Sequence, residues 1–237
     1  MTVSDDPIAL SAADLPVDGA ELAAFIAAKL CHDFISPAGA VVSGLDLLDD
    51  PGAQDMRDDA LGLIRQSAAK MVALVHFARV AFGAATSSEQ FSGAELQGLV
   101  TGLTEGGRAT LDWRVGDETF SKIQARALIN LAYLTVSALP MGGTAVVTIR
   151  REGGQMLLVG SAEGARARLK PEAVVGLKGE RLTEGLAGQW IQPYWLWLTA
   201  REAGGRLNLA LEEGRVALMA SLPDRDARPG EAEPTLR

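Results

Sequence analysis

The chain has 237 residues and a formal net charge of -8, and hydrophobic residues make up 48% of it. This acidic balance disfavours direct binding to nucleic acid or to an anionic membrane surface. The single cysteine excludes an intramolecular disulfide and a cysteine-rich metal site. No apolar run approaches the ~20 residues of a membrane span, and the acidic N-terminus lacks the basic start of a signal peptide. We therefore expect a cytoplasmic protein.

Changes in composition along the chain predict two folded regions joined by a short linker. Residues 1–15 are typical of a flexible leader, and residues 16–85 have the pattern of a helical hairpin. The stretch 83–90 is small and polar, as linkers are, and residues 90–223 mix strand and helix patterns. Residues 224–237 are charged and contain proline, which indicates a flexible tail.

The first helix is predicted to begin after Asp18 and to end near residue 50. Asp18 is a good N-cap, and Glu21 three residues later completes a pattern similar to a capping box. Apolar residues recur at helical spacing on one face, and His32 points roughly opposite them. Pro37 lacks a backbone N–H, so we expect a kink there. The apolar face consists of Leu22, Ile26, Leu30, Phe34, Val41, Leu45 and Leu48.

A second helix is predicted over residues 54–82, after a turn at residues 49–52. Its apolar residues step by three and four, as in a coiled-coil seam, and a second apolar line widens that face. One hairpin cannot bury two broad apolar faces, whereas a four-helix bundle made by two chains can. We therefore predict a homodimer. The seam is Leu61, Ile64, Ala68, Met71, Val75, Ala78 and Phe82, and the second line is Leu63, Leu74 and Phe77.

The second region is predicted to be an α/β sandwich with helices over one face of a mixed sheet, which makes the whole chain α+β. Residues 161–188 show little periodicity, and Trp190, Trp195 and Trp197 are interpreted as core residues. The predicted helices cover residues 93–104, 122–139 and 189–203, and the predicted strands cover residues 110–115, 144–151, 155–160, 206–211 and 215–222.

His32 is the strongest candidate for chemistry, because the chain has only two histidines. An exposed imidazole can carry a phosphoryl group as a covalent intermediate, and its basicity suits that role near neutral pH. Asp33 is placed to hydrogen-bond the ring, and Lys29, one turn earlier, to neutralise phosphoryl charge. A structural histidine, a solvated aspartate and a surface lysine are the plainer alternatives. His76 has no acid or proline beside it and is interpreted as a partly buried structural residue.

Small and polar residues follow His32 along the same helix, at Ser36, Gly39, Ala40 and Ser43. They would let a partner protein approach the helix closely, and simple helix packing explains them equally well. Two histidines on separate helices, without an acidic cluster, do not indicate a metal site.

One run of the chain resembles the phosphoacceptor box of histidine kinases: His32-Asp33-Phe34-Ile35-Ser36-Pro37. In those kinases the box lies on the first helix of a dimerisation hairpin. The second region resembles the ATP-binding domain that follows. Within it, the run from Leu128 to Leu131 is similar to the start of the N-box. Residues 203–223 are similar to the final unit of two glycines, two strands and Leu-Pro. The resemblance covers most of residues 18–223.

Three departures from the kinase pattern affect the nucleotide site. The N-box asparagine that holds magnesium in kinases falls near Leu134, which cannot coordinate a metal. No Asp-x-Gly-x-Gly motif, which contacts adenine in kinases, occurs in the chain. The glycine-rich lid is reduced to residues 184–189. The resemblance therefore implies a kinase-like fold that has lost most polar anchors for ATP.

A kinase-shaped dimer that keeps the histidine and discards ATP resembles the ChpT-type histidine phosphotransferases of alphaproteobacteria. This resemblance implies that His32 and Asp33 are the catalytic residues. His32 would take a phosphoryl group from the receiver domain of a CckA-like hybrid histidine kinase and pass it to CtrA-like and CpdR-like response regulators of the cell cycle. The receiver would supply Mg²⁺, so no cofactor is expected in this chain. The expected receiver-binding residues are Lys29, Ser36, Pro37, Gly39, Ala40, Ser43 and Arg65.

Two other functions are compatible with the same residues. A divergent ATP-dependent histidine kinase would label His32 from ATP alone. A non-catalytic dimeric scaffold would keep its effect after His32 is replaced.

Overall fold

The computed structural model describes residues 15–83 and 89–224. The predicted leader before residue 15, the centre of the predicted linker and the tail after residue 224 lie outside the described residues. Within them the chain is a helical hairpin followed by an α/β region, so the predicted α+β class is confirmed.

The hairpin consists of helices α1 (Gly19–Asp49) and α2 (Arg57–Ala81), joined by the 3-10 helix Pro51–Met56. Asp18 caps α1, because its carboxylate accepts a hydrogen bond from the backbone N–H of Glu21 at 2.8 Å. The helix α1 continues on both sides of Pro37. It is long and apolar enough to span a membrane by length and composition, contrary to the sequence expectation. In this fold α1 packs against α2 and against the helix Ala187–Glu202 of the second region.

The two helices of the hairpin approach closely at Gly44. A Cβ atom added there would lie 2.6 Å from Cγ1 of Ile64 and 3.1 Å from the backbone oxygen of Ala60. Only glycine leaves room for this crossing, which fixes how α1 and α2 are placed side by side.

The second region is built around a five-stranded mixed sheet in the order β2-β4-β5-β7-β6. The pair β2–β4 is parallel, and the other neighbouring pairs are antiparallel. Strands β1 and β3 form a separate antiparallel pair. The strands are β1 (Gln90–Ser92), β2 (Ala109–Arg114), β3 (Thr119–Ser121), β4 (Gly143–Glu152), β5 (Gln155–Glu163), β6 (Arg206–Glu212) and β7 (Arg215–Pro223).

Helices α3 (Gly93–Thr104), α4 (Lys122–Ser137), α5 (Pro171–Leu177) and α6 (Ala187–Glu202) complete the second region. Alternate residues of β5 and β7 are buried against α4, which is itself buried on nearly every side. At Gly160 of β5, a Cβ would lie 2.0 Å from Oγ1 of Thr135, so α4 lies directly on the sheet. The predicted layer of helices on one sheet face is therefore observed.

The hairpin shares its core with the second region, which the predicted linker did not suggest. Phe77, Val80 and Ala81 at the end of α2 belong to the main core of the α/β region. The first half of α1 packs against α6, where the rings of Phe25 and Trp190 meet edge to face with centroids 5.4 Å apart. The two regions are therefore held together at the open end of the hairpin, through both of its helices.

The tryptophans of α6 are core residues, as predicted, although to different degrees. Trp190 is fully buried, whereas Trp195 and Trp197 are partly buried beside it. The short elements β1, β3 and α5 were not predicted. Three residues of a strand and seven residues of a helix each contain less than two full periods of their own pattern.

Candidate functional site

His32 projects into solvent from the middle of α1, with 85% of its side chain exposed. Its Nδ1 atom lies 3.4 Å from Oδ1 of Asp33. This contact turns Nδ1 toward the helix surface and leaves Nε2 as the ring nitrogen on the far side. An exposed imidazole whose inner nitrogen faces a carboxylate has the arrangement of an oriented nucleophile.

Asp33 is also bound from its other side, by Lys29 one turn earlier on α1. The Nζ atom of Lys29 donates to Oδ2 of Asp33 at 2.5 Å. Only 9% of the Lys29 side chain and 27% of the Asp33 side chain are exposed. Lys29 is therefore a buried partner of Asp33, whereas the sequence analysis had placed it among the exposed receiver-binding residues.

An open cleft of about 1120 Å³ lies beside His32, between the hairpin and helices α3 and α4. Five of the predicted site residues line it: His32, Asp33, Ser36, Pro37 and Ala40. Much of the remaining lining is small or apolar and comes from α2 and α3. Examples are Ala69, Ala73, Leu74, Phe77, Gly98, Leu99, Gly102 and Leu103.

Three predicted site residues are exposed but are not among the residues that line the cleft: Gly39, Ser43 and Arg65. Gly39 and Ser43 continue the helical face that His32 and Ser36 begin, because all four are spaced by three or four residues. The predicted set therefore divides into a cleft group, an exposed stripe along α1, the separate Arg65 on α2 and the buried Lys29.

His76 is exposed and lines the same cleft as His32, so the interpretation of a partly buried structural residue was wrong. Its neighbour Phe77 is the buried one, at 3% exposure. In an antiparallel hairpin, residues at equal distances from the turn lie side by side. Counting from the turn at residues 50–56 would have placed His76 nearly level with His32.

Lys70 is a cleft residue that the sequence analysis did not single out. Its ammonium donates to the backbone oxygen of Leu103, which ties α2 to the end of α3. Burial lowers the pKa of Lys70 below its ordinary value, and the nearby carboxylate of Glu105 partly opposes that shift. Lys70 therefore places a partly buried cation in the wall of the cleft.

The residues of the stretch that resembles the kinase N-box serve the protein core. Asn130 is fully buried, and its Nδ2 donates to the backbone oxygens of Ala81 at 3.2 Å and Arg126 at 2.8 Å. Its Oδ1 accepts from Nε2 of Gln192 at 3.1 Å. Leu134 is 5% exposed and belongs to the main core. Within residues 15–83 and 89–224, no group of three or more His, Cys, Asp or Glu residues could hold a metal ion.

Comparison with known proteins identifies the family. The family model of the histidine phosphotransferase C-terminal domain matches residues 93–215. The protein phosphotransferase ChpT of Brucella abortus (strain 2308) is 31% identical over 204 residues, which are 86% of this chain and 93% of that protein. This chain belongs to the ChpT-type histidine phosphotransferases.

A solved structure agrees with this family assignment. A bacterial phosphotransferase is 28% identical to this histidine phosphotransferase and superposes with a TM-score of 0.76, covering 87% of this chain and 100% of that chain. A histidine kinase domain from Erythrobacter litoralis EL346 is 12% identical, with a TM-score of 0.44 over 79% of this chain and 95% of that one. The resemblance drawn from the sequence is confirmed, and the protein is a phosphotransferase of phosphorelay signalling.

Proposed function

We propose that His32 accepts a phosphoryl group from the aspartyl phosphate of one receiver domain and passes it to the aspartate of another, without ATP. The donor is the receiver of a CckA-like hybrid histidine kinase, and the acceptors are CtrA-like and CpdR-like response regulators. The observation that carries the proposal is an 85% exposed imidazole, oriented by Asp33, at the edge of an open cleft.

The transfer is an in-line exchange at phosphorus that the protein assists mainly by positioning and charge. The lone pair of His32 Nε2 attacks the acyl phosphate, and a P–N bond forms as the P–O bond to the receiver carboxyl breaks. The receiver recovers its carboxylate, and Nδ1 of His32 keeps its proton. Because the phosphorylated ring is cationic, the Asp33 carboxylate 3.4 Å from Nδ1 stabilises it.

The second transfer is the same exchange in reverse. A carboxylate of the next receiver attacks phosphorus, the P–N bond breaks, and His32 returns to a neutral imidazole. The receiver supplies Mg²⁺ for both steps.

Receiver docking uses the cleft and the exposed stripe that continues from His32. Ser36, Gly39 and Ser43 are exposed and small, so a helix of the receiver can come close to α1 without displacing side chains. Pro37 and Ala40 line the cleft on the adjoining face. Arg65 extends the docking surface onto α2 as an exposed cation.

Two observations support transfer without ATP. The side chain of Asn130, within the run that resembles the start of the N-box, is bound by Ala81, Arg126 and Gln192, and Leu134 is buried in the core. The sequence contains no Asp-x-Gly-x-Gly motif. Both features remove polar groups with which a kinase holds nucleotide and metal.

The protein acts as a cytoplasmic homodimer in this proposal. Large apolar side chains are exposed on both helices of the hairpin, in the single chain. A second hairpin would cover them in a four-helix bundle, which is a common arrangement for helical hairpins. The exposed side chains outside the cleft are Ile35, Val42 and Leu45 on α1 and Val75 on α2.

The proposal is tested by phosphotransfer from a purified, radiolabelled phospho-receiver in the absence of ATP. The wild-type protein should become labelled and should then label a second receiver, whereas His32→Ala should do neither. His76→Ala is the matched control, because it removes the other exposed histidine of the same cleft and should still form labelled protein.

Each alternative function gives a different result in the same assay. Labelling of His32 from ATP alone, without any receiver, would identify a histidine kinase. Undiminished relay between the two receivers in the presence of His32→Ala would identify a scaffold.

A further inference from the structure

Three side chains form a continuous chain on α1, from a buried lysine to an exposed histidine. Lys29 donates to Oδ2 of Asp33 at 2.5 Å, and Oδ1 of Asp33 lies 3.4 Å from Nδ1 of His32. Exposure rises along the chain, from 9% for Lys29 through 27% for Asp33 to 85% for His32. Each carboxylate oxygen of Asp33 therefore has its own partner, Lys29 for Oδ2 and His32 for Oδ1.

Helix stability alone does not account for the Lys29–Asp33 pair. In an i,i+4 pair on a helix, the acid is better placed before the base, and here the lysine comes first. Burying an ammonium group also carries a desolvation penalty that one ion pair offsets poorly. The pair does, however, hold the Asp33 carboxylate in one orientation, with one oxygen directed at the imidazole.

We propose that Lys29 is a positioning residue that acts on His32 through Asp33. By binding Oδ2, it fixes the carboxylate so that Oδ1 accepts the Nδ1 proton. The ring is then kept in the tautomer that leaves Nε2 unprotonated and directed at the solvent, where it can attack phosphorus. This inference rests on the proposed role of His32 as the phosphoacceptor.

The alternative role for Lys29 is direct contact with the receiver or with the phosphoryl group. The ammonium would have to leave Asp33 and reach past it to the far side of the imidazole. Its 9% exposure and its 2.5 Å bond to Asp33 oppose that movement. The two roles differ in kinetics, because a contact residue changes receiver affinity, whereas a positioning residue changes the rate of transfer within the complex.

The first test observes the imidazole directly and needs no receiver. Nitrogen NMR at about pH 8.5, where an ordinary imidazole is neutral, distinguishes the two tautomers, and His76→Gln leaves His32 as the single histidine. The wild-type ring should hold its proton on Nδ1. Lys29→Met should shift it toward Nε2, Asp33→Ala should do the same, and Lys29→Arg should restore the wild-type form.

The second test is the rate of phosphoryl transfer from a phospho-receiver. Lys29→Met should lower kcat about tenfold through misorientation and leave KM unchanged. The double variant Lys29→Met/Asp33→Ala should be no slower than Asp33→Ala alone, because residues that act through one another are not additive. Lys178→Met, which removes the same charge from an exposed site on the second region, should match the wild type.

The outcomes separate this inference from the proposed function. If the wild type accepts phosphate and Lys29→Met has wild-type kcat with an unchanged tautomer, the positioning role is wrong. A raised KM with wild-type kcat would instead assign Lys29 to receiver contact and would also overturn it. If the wild type accepts no phosphate, the proposed function fails, while the tautomer measurement still decides what Lys29 does. Lys29→Gln serves for both tests if Lys29→Met does not fold.

Discussion

At the scale of single residues, Asn130 connects three helices that meet below the end of α2. It lies on α4, accepts from Gln192 on α6 and donates to the backbone oxygen of Ala81 on α2. A buried amide in this position is stabilising only while its hydrogen bonds are complete, because water cannot replace a lost partner there.

Replacing Asn130 by alanine should therefore destabilise the protein without touching the phosphoacceptor. The free energy of unfolding should fall by about 1–3 kcal/mol, since the buried amide of Gln192 loses its acceptor. Urea denaturation followed by circular dichroism measures the change. Asn208→Ala, at an exposed site on β6, should alter stability by less than about 0.5 kcal/mol. Equal stability of the two variants would mean that the network contributes little.

His32 could be selected from the sequence, whereas its supporting contacts could not. The chain has two histidines, and only His32 has an acid, a serine and a proline in the spacing of a phosphoacceptor box. The burial of Lys29 depends on how α1 packs against its neighbours, which one helical pattern does not specify. The exposure of His76 depends in the same way on the register between α1 and α2.

At the scale of elements, Gly44 determines how closely the two hairpin helices can approach. Alanine there would place its Cβ 2.6 Å from Ile64 Cγ1 and 3.1 Å from the Ala60 backbone oxygen, so one helix must move. Gly62 lies on the opposite helix, and a Cβ there meets nothing within 4 Å. The two glycines therefore provide a matched pair for testing the crossing.

Gly44→Ala should lower the free energy of unfolding by about 1 kcal/mol, because the overpacking penalty exceeds the gain in helix propensity. Gly62→Ala should instead raise it by up to about 1 kcal/mol. Thermal denaturation of both variants beside the wild type gives the comparison. A stabilised Gly44→Ala protein would show that the helices separate easily at this point.

Long elements were predictable because they contain several periods of their pattern. Helices α1 and α2 and the hairpin strands were predicted close to their observed bounds. The three-residue strands β1 and β3 and the seven-residue helix α5 were missed, since each spans fewer than two periods of its own pattern. Helix α5 also lies in a glycine-rich stretch, and its position depends on packing against α6.

At the scale of the whole molecule, the shared cores predict that the hairpin and the α/β region unfold together. Phe77 of α2 is 3% exposed in the main core, and its ring lies 5.4 Å from that of Tyr133 on α4. All four tryptophans belong to the second region, so their fluorescence reports on that region and on its contacts with the hairpin, such as that of Trp190 with Phe25. Far-ultraviolet circular dichroism reports on the helices of both regions, of which α1 and α2 are the longest.

The two signals should therefore follow one unfolding curve. Phe77→Ala should shift both signals equally, with a loss of about 3–5 kcal/mol. Two separated transitions in the wild type, or a shift confined to the circular dichroism signal, would mean that the regions fold independently.

The exposed apolar side chains of the hairpin lead to a prediction about assembly. Val42 on α1 is 57% exposed and Val75 on α2 is 52% exposed, and neither lines the cleft beside His32. A charge introduced at either position would be buried without a partner in a four-helix bundle, at a cost of several kcal/mol. Val42→Asp and Val75→Asp should therefore sediment as monomers at concentrations where the wild type is a dimer.

The control variant is Leu211→Asp, which changes a side chain that is 50% exposed on the edge strand β6, outside the hairpin. This variant should remain dimeric. Analytical ultracentrifugation over a dilution series distinguishes these states, and a wild-type protein that stays folded as a monomer throughout the series would contradict the four-helix bundle.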